Sequence, residues 1–411
     1  MQYDRSISYV LGLHAEESGV FEIIMFFKNQ PKENQTKYLE FLEVMGSLSN
    51  LFSESATPYL YYRATENLFC ICLEAKNLSR SDCSADASKG AIGVGIKTFL
   101  ETSAGNSLQK IAEFNRKRTE FEKLEGKDLI RYVCKLRNER IEVTKRAHGL
   151  EKMIYHYTTR SPGKISILEC NLDLIDVGSI KLKKEKGKGN SNTIHFHDNK
   201  NEYCFNSSKS TLYKRFYTTD ILDEISVKII SDPYKLMHGL LLKNKSNFGF
   251  VTQKEEPHVY LPLFSLKGGK HVQEKSALNQ WRAGGRNRNP DEVYIPIPAH
   301  IHRDHKGFFP DSNKETFELE LPNGEVLFAK LCQDKSKGLM SNPNSALGKW
   351  LLRTVFQVPE YEQVTLETLE RVGVDSVIVY KKRDGYYTID FANTGSYENF
   401  KADTTFDIEE D

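Results

Sequence analysis

The chain is short of the features that define several large protein classes. Its 411 residues include 7 cysteines, an odd number, with Cys70 and Cys72 one residue apart and no Cys-x-x-Cys pair. That disfavours a disulfide framework and a zinc ribbon, and fits buried thiols in a reducing compartment. No apolar run approaches the roughly 18 residues of a membrane span, so none is expected. The first residues, Met1-Gln2-Tyr3-Asp4-Arg5, lack the basic-then-apolar pattern of a secretory signal. No repeat at a solenoid period is visible. An excess of charge is missing too: 57 Lys and Arg stand against 56 Asp and Glu. Total charge therefore says nothing for a nucleic-acid partner.

What is there is distribution. Lys267, Lys270, Lys275, Arg282, Arg286 and Arg288 face only Glu274 across 267–288, while Asp403, Asp407, Glu409, Glu410 and Asp411 make the end acidic. A local basic patch acts within a Debye length of ~8–10 Å, whatever the remainder carries. The length allows two or three domains. Apolar spacing predicts a strand at 20–27, helices at 36–53 and 64–78, a long charged helix at 109–136 and a helix near 221–230. Alternation predicts strands at 165–170 and 193–197, joined by a basic Gly-rich loop at 183–190. From 259 onward short strands recur at 259–264, 293–298, 316–321, 326–332, 376–380 and 386–391, with Asn323-Gly324 as a hairpin signal. We expect a mixed α/β (α+β) chain: residues 1–235 as one nuclease domain, with 164–217 a β-rich, DNA-contacting section that either completes it or stands alone, 236–257 as linker, and 258–411 as a compact barrel.

Two loops in that barrel region carry Arg, Lys, Asn and Gln. The first is Leu278-Asn279-Gln280-Trp281-Arg282-Ala283-Gly284-Gly285-Arg286-Asn287-Arg288; the second is Asp334-Lys335-Ser336-Lys337, followed by Ser341-Asn342-Pro343-Asn344. Arg and Lys match guanine O6 and N7, Asn and Gln match adenine N6 and N7, and both cations neutralise phosphate. The bland alternative is a solvated charged surface.

These loops belong to longer runs: Leu278-Asn279-Gln280-Trp281, Glu292-Val293-Tyr294-Ile295-Pro296-Ile297-Pro298, Phe308-Phe309-Pro310, Leu339-Met340-Ser341-Asn342-Pro343-Asn344, Leu347-Gly348-Lys349-Trp350-Leu351-Leu352-Arg353 and Asp375-Ser376-Val377. With them, about a third of the chain resembles the C-terminal DNA-binding domain of NgoFVII-type restriction endonucleases. That domain is similar to the pseudobarrel of plant auxin-response factors, which grips the major groove of double-stranded DNA with two arms. The resemblance implies Asn279, Gln280, Trp281, Arg282, Arg286 and Arg288 in the first arm, and Asp334, Lys335, Lys337, Ser341, Asn342 and Asn344 in or beside the second. It also implies a bacterial cytoplasmic protein of a restriction-modification system with a companion DNA methyltransferase.

Catalysis has to come from elsewhere. NgoFVII-type enzymes cut with a phospholipase-D-like domain marked by His-x-Lys, and no His-x-Lys occurs here. Instead, the stretch from Asp86 to Lys97 looks like a variant PD-(D/E)xK nuclease hairpin, in which carboxylates hold Mg²⁺ and the lysine positions water. Gly95 stands where the pattern has an acid. Glu113 on the following helix is the first candidate replacement, Glu66 or Glu74 the next, and Asp82 could stand in for Asp86. The metal set expected is Asp86 and Glu113, and the catalytic set Asp86, Lys97, Glu113 and Glu74. The plain reading of the same residues is a hairpin with a surface lysine. His195 and His197, and His300, His302 and His305, read as solvated histidines rather than metal ligands. The combined expectation is a Mg²⁺-dependent type II restriction endonuclease. Its rivals are a non-catalytic sequence- or modification-specific DNA-binding protein and a nuclease subunit that needs a partner.

Overall fold

Two of the expected helices, Lys32–Ser47 and Tyr62–Leu73, lie side by side in a computed structural model that describes residues 25–78, 83–183, 192–243, 256–310 and 315–406. Tyr38, Leu42, Phe69, Cys72 and Leu73 bury one helical face against Val94, Ile96, Ile154 and Ile167 of a six-stranded sheet. Its order is Lys76–Asn77, Ala87–Lys89, Ile92–Leu100, Lys152–Ser161, Lys164–Asn171, Asp223–Ser226. Only Ile92–Leu100 and Lys152–Ser161 run parallel. A parallel pair needs a long crossover, and the helix Gly126–His148 lies within it, ending at Gly149 in the left-handed region (φ 65°) that glycine tolerates. On the way the chain also forms the edge strand of a second, antiparallel sheet, ordered Asn106–Glu113, Thr211–Tyr217, Glu202–Asn206, Thr193–His197, Lys181–Leu182. Phe196, Tyr203, Phe205 and Leu212 of that sheet pack on Leu129, Ile130, Val133 and Cys134 of the helix.

Three expectations are corrected here. The helix expected at 109–136 begins only at Gly126, and Asn106–Glu113 is a strand, because it pairs along its length with Thr211–Tyr217 and tertiary pairing overrides the propensities of Gln, Lys, Ala and Glu. The helix expected near 221–230 is an edge strand, Asp223–Ser226, paired with 164–167. Residues 25–27 of the strand expected at 20–27 lie at the start of a turn that runs to 30; 20–24, Asp82, 184–191 and 407–411 lie outside the described residues.

The third sheet has seven strands: His258–Pro262, Val374–Arg383, Tyr386–Asn393, Thr316–Glu320, Val326–Cys332, Gly338–Ser341, Ile295–Pro296. Its two end strands come within 8 Å between Cα atoms, so the sheet curls almost shut. Leu261, Leu278, Phe317, Leu319, Leu331, Leu339, Val377 and Phe391 fill it. The helix Gly126–His148 reaches this core as well, contributing Val143 and Ala147. Arg146 Nε donates to the Val355 carbonyl (3.1 Å) and Lys76 Nζ to the Pro322 carbonyl (3.0 Å). The barrel is thus docked on the N-terminal sheets by buried contacts. In the stretch expected as linker, Pro233–Lys243 is helical and 244–255 lie outside the described residues. The chain is mixed α/β with a β-rich C-terminal region, as expected.

Candidate nucleic-acid interface and catalytic cluster

The first loop, 263–294, leaves the barrel after His258–Pro262 and returns at Ile295–Pro296. Asn279 anchors it. Fully buried, Asn279 donates to the carbonyls of Gln273 (2.9 Å) and Val364 (2.8 Å) and accepts from Val364 N–H (2.9 Å). Gln280 is buried beside it, and half-buried Trp281 meets Tyr361 edge-to-face at 5.7 Å. Arg282 donates to Gln363 Oε1 and covers the Trp281 ring. The chain then runs out into solvent through Gly284, Gly285 (φ 96°), Arg286 and Asn287. Arg286 stays exposed while touching Glu292 Oε1 (2.6 Å); Arg288 folds inward onto the carbonyls of Ala283 and Gly284 and closes the loop on itself.

The neck of this loop is clamped from the run Leu347 to Arg353. Arg353 donates to Asp291 Oδ1 (2.6 Å) and to the carbonyls of Pro290 (2.9 Å), Val358 (2.6 Å) and Pro359 (2.7 Å). A Cβ on Gly348 would stand 1.9 Å from the Asp291 carbonyl oxygen, so only glycine allows this approach. Trp350 stacks on Phe391 in the core at 5.3 Å.

The second loop is a tight turn between Val326–Cys332 and Gly338–Ser341. Gln333, Lys335 and Ser336 all have positive φ, of 68°, 58° and 55°. Non-glycine residues adopt that region at a cost, and such strain clusters at binding sites. His302 Nε2 contacts the Ser336 carbonyl (2.9 Å) and Ile297 N–H donates to that of Lys337 (2.7 Å), so the base of the turn is fixed. Asp334, Lys335 and Lys337 are exposed, and among the described residues neither lysine has an ion-pair partner.

Two expected base readers are corrected: Asn279 and Ser341 spend their polar atoms inside. Ser341, 1% exposed, donates to the Pro343 carbonyl and accepts from Leu347 N–H, both at 2.8 Å. Asn342 is exposed and Asn344 half-buried, at the far end of Gly338–Ser341 from the turn. Asn342 N–H donates to the Phe328 carbonyl (2.7 Å), which sets it apart from the turn at Gln333–Lys337.

The comparison with known families bears on these loops. Residues 252–383 match the family model of the NgoFVII C-terminal B3-like DNA-binding domain. The match spans both loops and the Leu347–Arg353 clamp and does not reach the N-terminal sheets. No curated protein matches the chain.

In the N-terminal part, Asp86 caps an open strand edge. Its N–H donates to the Val94 carbonyl (2.9 Å), and its Oδ2 accepts from Ile96 N–H (2.7 Å). Ala87–Lys89 pairs with Ile92–Leu100 only as far as Val94, so the carboxylate occupies the free edge one residue before Lys97. Helix Tyr62–Leu73 adds Glu66, 6% exposed and held by Arg63 Nη1 at 2.9 Å. Burial pushes the Glu66 carboxyl up, the Asp86 charge pushes the same way, and Arg63 and Lys97 pull it down. Glu66, Asp86 and Lys97 thus share one electrostatic site. On that helix Glu66 is buried in line with Phe69, Cys70 and Leu73. An acid standing among the buried positions of that helix was the available signal.

Gly95 now has a physical reason. It is in register with Tyr155, and a Cβ there would lie 2.9 Å from the Tyr155 ring. The ring occupies the space an acid would need. Glu113 and Glu74 do not replace it. Glu113 ends a strand of the other sheet, tied to Lys110 and Asn115; Glu74 is an exposed helix end 3.8 Å from Lys89. Among the described residues no group of three or more His, Cys, Asp or Glu could hold a metal ion. Two carboxylates nevertheless fit Mg²⁺, which commonly takes one or two of them and completes its shell with water and phosphate oxygens. A second polar cluster is sealed: Glu169 accepts from His156 Nδ1 (2.9 Å) and Phe27 N–H (3.1 Å), and Tyr38 OH meets His156 Nε2 (3.1 Å), all fully buried.

Proposed function

We propose that the chain is a type II restriction endonuclease: the B3-like domain reads a duplex sequence and the Glu66–Asp86–Lys97 edge hydrolyses the backbone. The observation that carries the reading is this pairing of a matched recognition domain with two carboxylates and a lysine on an open strand edge, in one docked body. Arg286 is the exposed reader of the first loop, with Gln280, Trp281, Arg282 and Arg288 holding its shape, and Asn342 and Asn344 read from the end of Gly338–Ser341 away from the turn. Lys335 and Lys337, with Asp334, form a further group at the strained turn.

Glu66 and Asp86 would hold Mg²⁺, which when bound polarises the phosphate and acidifies a bound water. Asp86 is already aligned by Ile96 N–H and Glu66 by Arg63. Lys97 orients the attacking water and offsets the charge that builds on the phosphate oxygens. In-line attack leaves 5′-phosphate ends, and a companion methyltransferase protects the host sequence. The test is digestion of methylated and unmethylated plasmid with Mg²⁺, followed by end sequencing. Lys97→Ala, Asp86→Asn and Glu66→Gln should each lose cleavage and keep specific binding. Cleavage by Lys97→Ala at the parental rate sinks the catalytic assignment. Arg286→Ala or Asn342→Ala should cost about 1–3 kcal/mol of binding where a base is read, and Lys335→Ala should flatten the salt dependence.

The second reading, a DNA-binding protein without catalysis, is favoured by one observation: Tyr155 stands where the pattern's acid would be. Specific binding with no cleavage of either plasmid form supports it.

A further inference from the structure

Two cations lie buried in the N-terminal part without a counter-charge. Arg137, 3% exposed on the helix Gly126–His148, donates through Nη1 to the Asp173 carbonyl (2.6 Å), and its Nη2 has no hydrogen-bond partner among the described residues. Lys214, also 3% exposed, reaches among the described residues Cys170 Sγ (3.7 Å) and the ring faces of Phe216 (5.0 Å) and Tyr155 (5.9 Å). Neither forms an ion pair among the described residues. The guanidinium stays charged at any working pH, and a buried charge without a partner is costly. Both charges converge on Tyr155, whose hydroxyl they make more acidic against the larger opposing effect of burial. A cavity of about 200 Å³ opens here, lined by Arg137, Tyr155, Ser84, Ile111, Leu172 and Glu113 among others. Glu113 stands at the rim, and its carboxylate is already engaged by Lys110 and Asn115.

The location is informative. Ser84 lies two residues before Asp86, and the Tyr155 ring covers Gly95, two residues before Lys97. The cavity therefore lies beside the segments that carry Asp86 and Lys97, on the face that Gly95 presents to Tyr155. We infer that it is a phosphate-binding subsite, floored by Arg137, which holds a DNA phosphate next to the bond under attack. The anion site stands on the buried Arg137 in its lining, and its assignment to DNA rests on the proposed nuclease reading. Unpaired guanidinium N–H groups suit a tetrahedral oxyanion, since charge-assisted bonds to phosphate are the strong ones.

Two measurements on the full chain decide it. First, inorganic phosphate is titrated against chloride at matched ionic strength while the melting temperature is followed, since a ligand of the folded state stabilises it by mass action. A saturable rise specific to phosphate is expected, and Arg137→Met should abolish it. Because Arg137 also holds the Asp173 carbonyl, Ser84→Trp is the second variant: it fills the cavity and leaves Arg137 in place. No phosphate effect in the parent, or an unchanged one in Ser84→Trp, overturns the site. Second, duplexes with one methylphosphonate beside the cleaved bond should be cut about ten- to a hundredfold more slowly, the worth of one charge-assisted hydrogen bond. Phosphate binding with unaltered cutting of every such duplex overturns the DNA assignment. If no DNA is cut at all, the nuclease reading fails while the titration still decides the pocket.

Discussion

Placing a methyl group on Gly95 tests why this strand departs from the nuclease pattern. The Cβ of Gly95→Ala would lie 2.9 Å and 3.0 Å from two carbons of the Tyr155 ring and 3.4 Å from Leu172 Cδ1. The ring cannot withdraw freely, because Tyr155 is 4% exposed and Phe216 packs edge-on against it at 5.0 Å. Overpacking of this kind costs about 1–3 kcal/mol. Replacing glycine returns roughly 0.4–1 kcal/mol by narrowing the unfolded ensemble. The net expectation is a loss of about 1–2 kcal/mol, read as a shift in the urea midpoint at unchanged slope. Gly95→Asp, which restores the acid, should lose roughly 3–5 kcal/mol, because a carboxylate is buried as well. It should therefore gain no nuclease activity. The decisive step is the cycle with Tyr155→Leu, which removes the ring and with it the clash, so the double variant should be more stable than the sum by about 1 kcal/mol or more. A neutral Gly95→Ala, or a double variant additive within ~0.5 kcal/mol, refutes the steric account.

Four further outcomes are expected. Gly348→Ala should loosen the first loop at its neck, where its Cβ meets the Asp291 carbonyl at 1.9 Å; specific DNA binding should fall more steeply than the melting temperature, and intact binding counts against the clamp. Burial pushes the Asp390 carboxyl from 3.8 up to about 6, so the unfolded chain ionises first and stability is lost as pH rises through that window. Asp390→Asn keeps an acceptor for Phe391 N–H, and in melts across pH it should gain up to roughly 3 kcal/mol above about pH 6 and nothing below about pH 4. Burial lowers the neighbouring His148 to about 4, so its contribution is present above 6.5 and lost as pH falls toward 4; His148→Gln should remove that acid-side slope, and an unchanged slope in proton-linked melts contradicts it. Tryptophan fluorescence, reporting Trp281 and Trp350 of the barrel, and far-UV dichroism, reporting the whole chain, should melt together, because Val143 and Ala147 tie the halves; two separate transitions refute that coupling.

Much of the barrel was legible because its signals are local. The strands Thr316–Glu320 and Val326–Cys332 alternate cleanly around Asn323-Gly324, and the structure keeps them almost to the residue. Asn106–Glu113 and Asp223–Ser226 were not legible, since what makes each a strand is a partner distant in sequence. Asp86 and Lys97 could be read from their spacing across a hairpin. Glu66 was one of several acids on offer, and its helical spacing to Phe69, Cys70 and Leu73 was the signal; the arginine and the strand edge beside it were not legible. Asn279 and Ser341 failed for the opposite reason: an amide or hydroxyl in a basic loop looks like a base reader, and only the structure shows whose backbone it satisfies.

The helix Gly126–His148 explains why the barrel and the N-terminal sheets come in one body. Its 23 residues span roughly 35 Å at 1.5 Å each, and successive stretches serve three different cores. Leu129, Ile130, Val133 and Cys134 support the five-stranded sheet, Ile141 packs with Tyr155 and Leu172 behind Gly95, and Val143 and Ala147 enter the barrel. Arg137 and Arg146 lie between these apolar points, one beneath the cavity by Tyr155 and the other on the Val355 carbonyl, two residues beyond the Arg353 that clamps the first loop. A displacement of that loop is thus two hydrogen bonds from the helix, and the helix is one packed layer from the strand that carries Lys97. Rigid packing of this kind transmits force because interiors deform little before they rearrange.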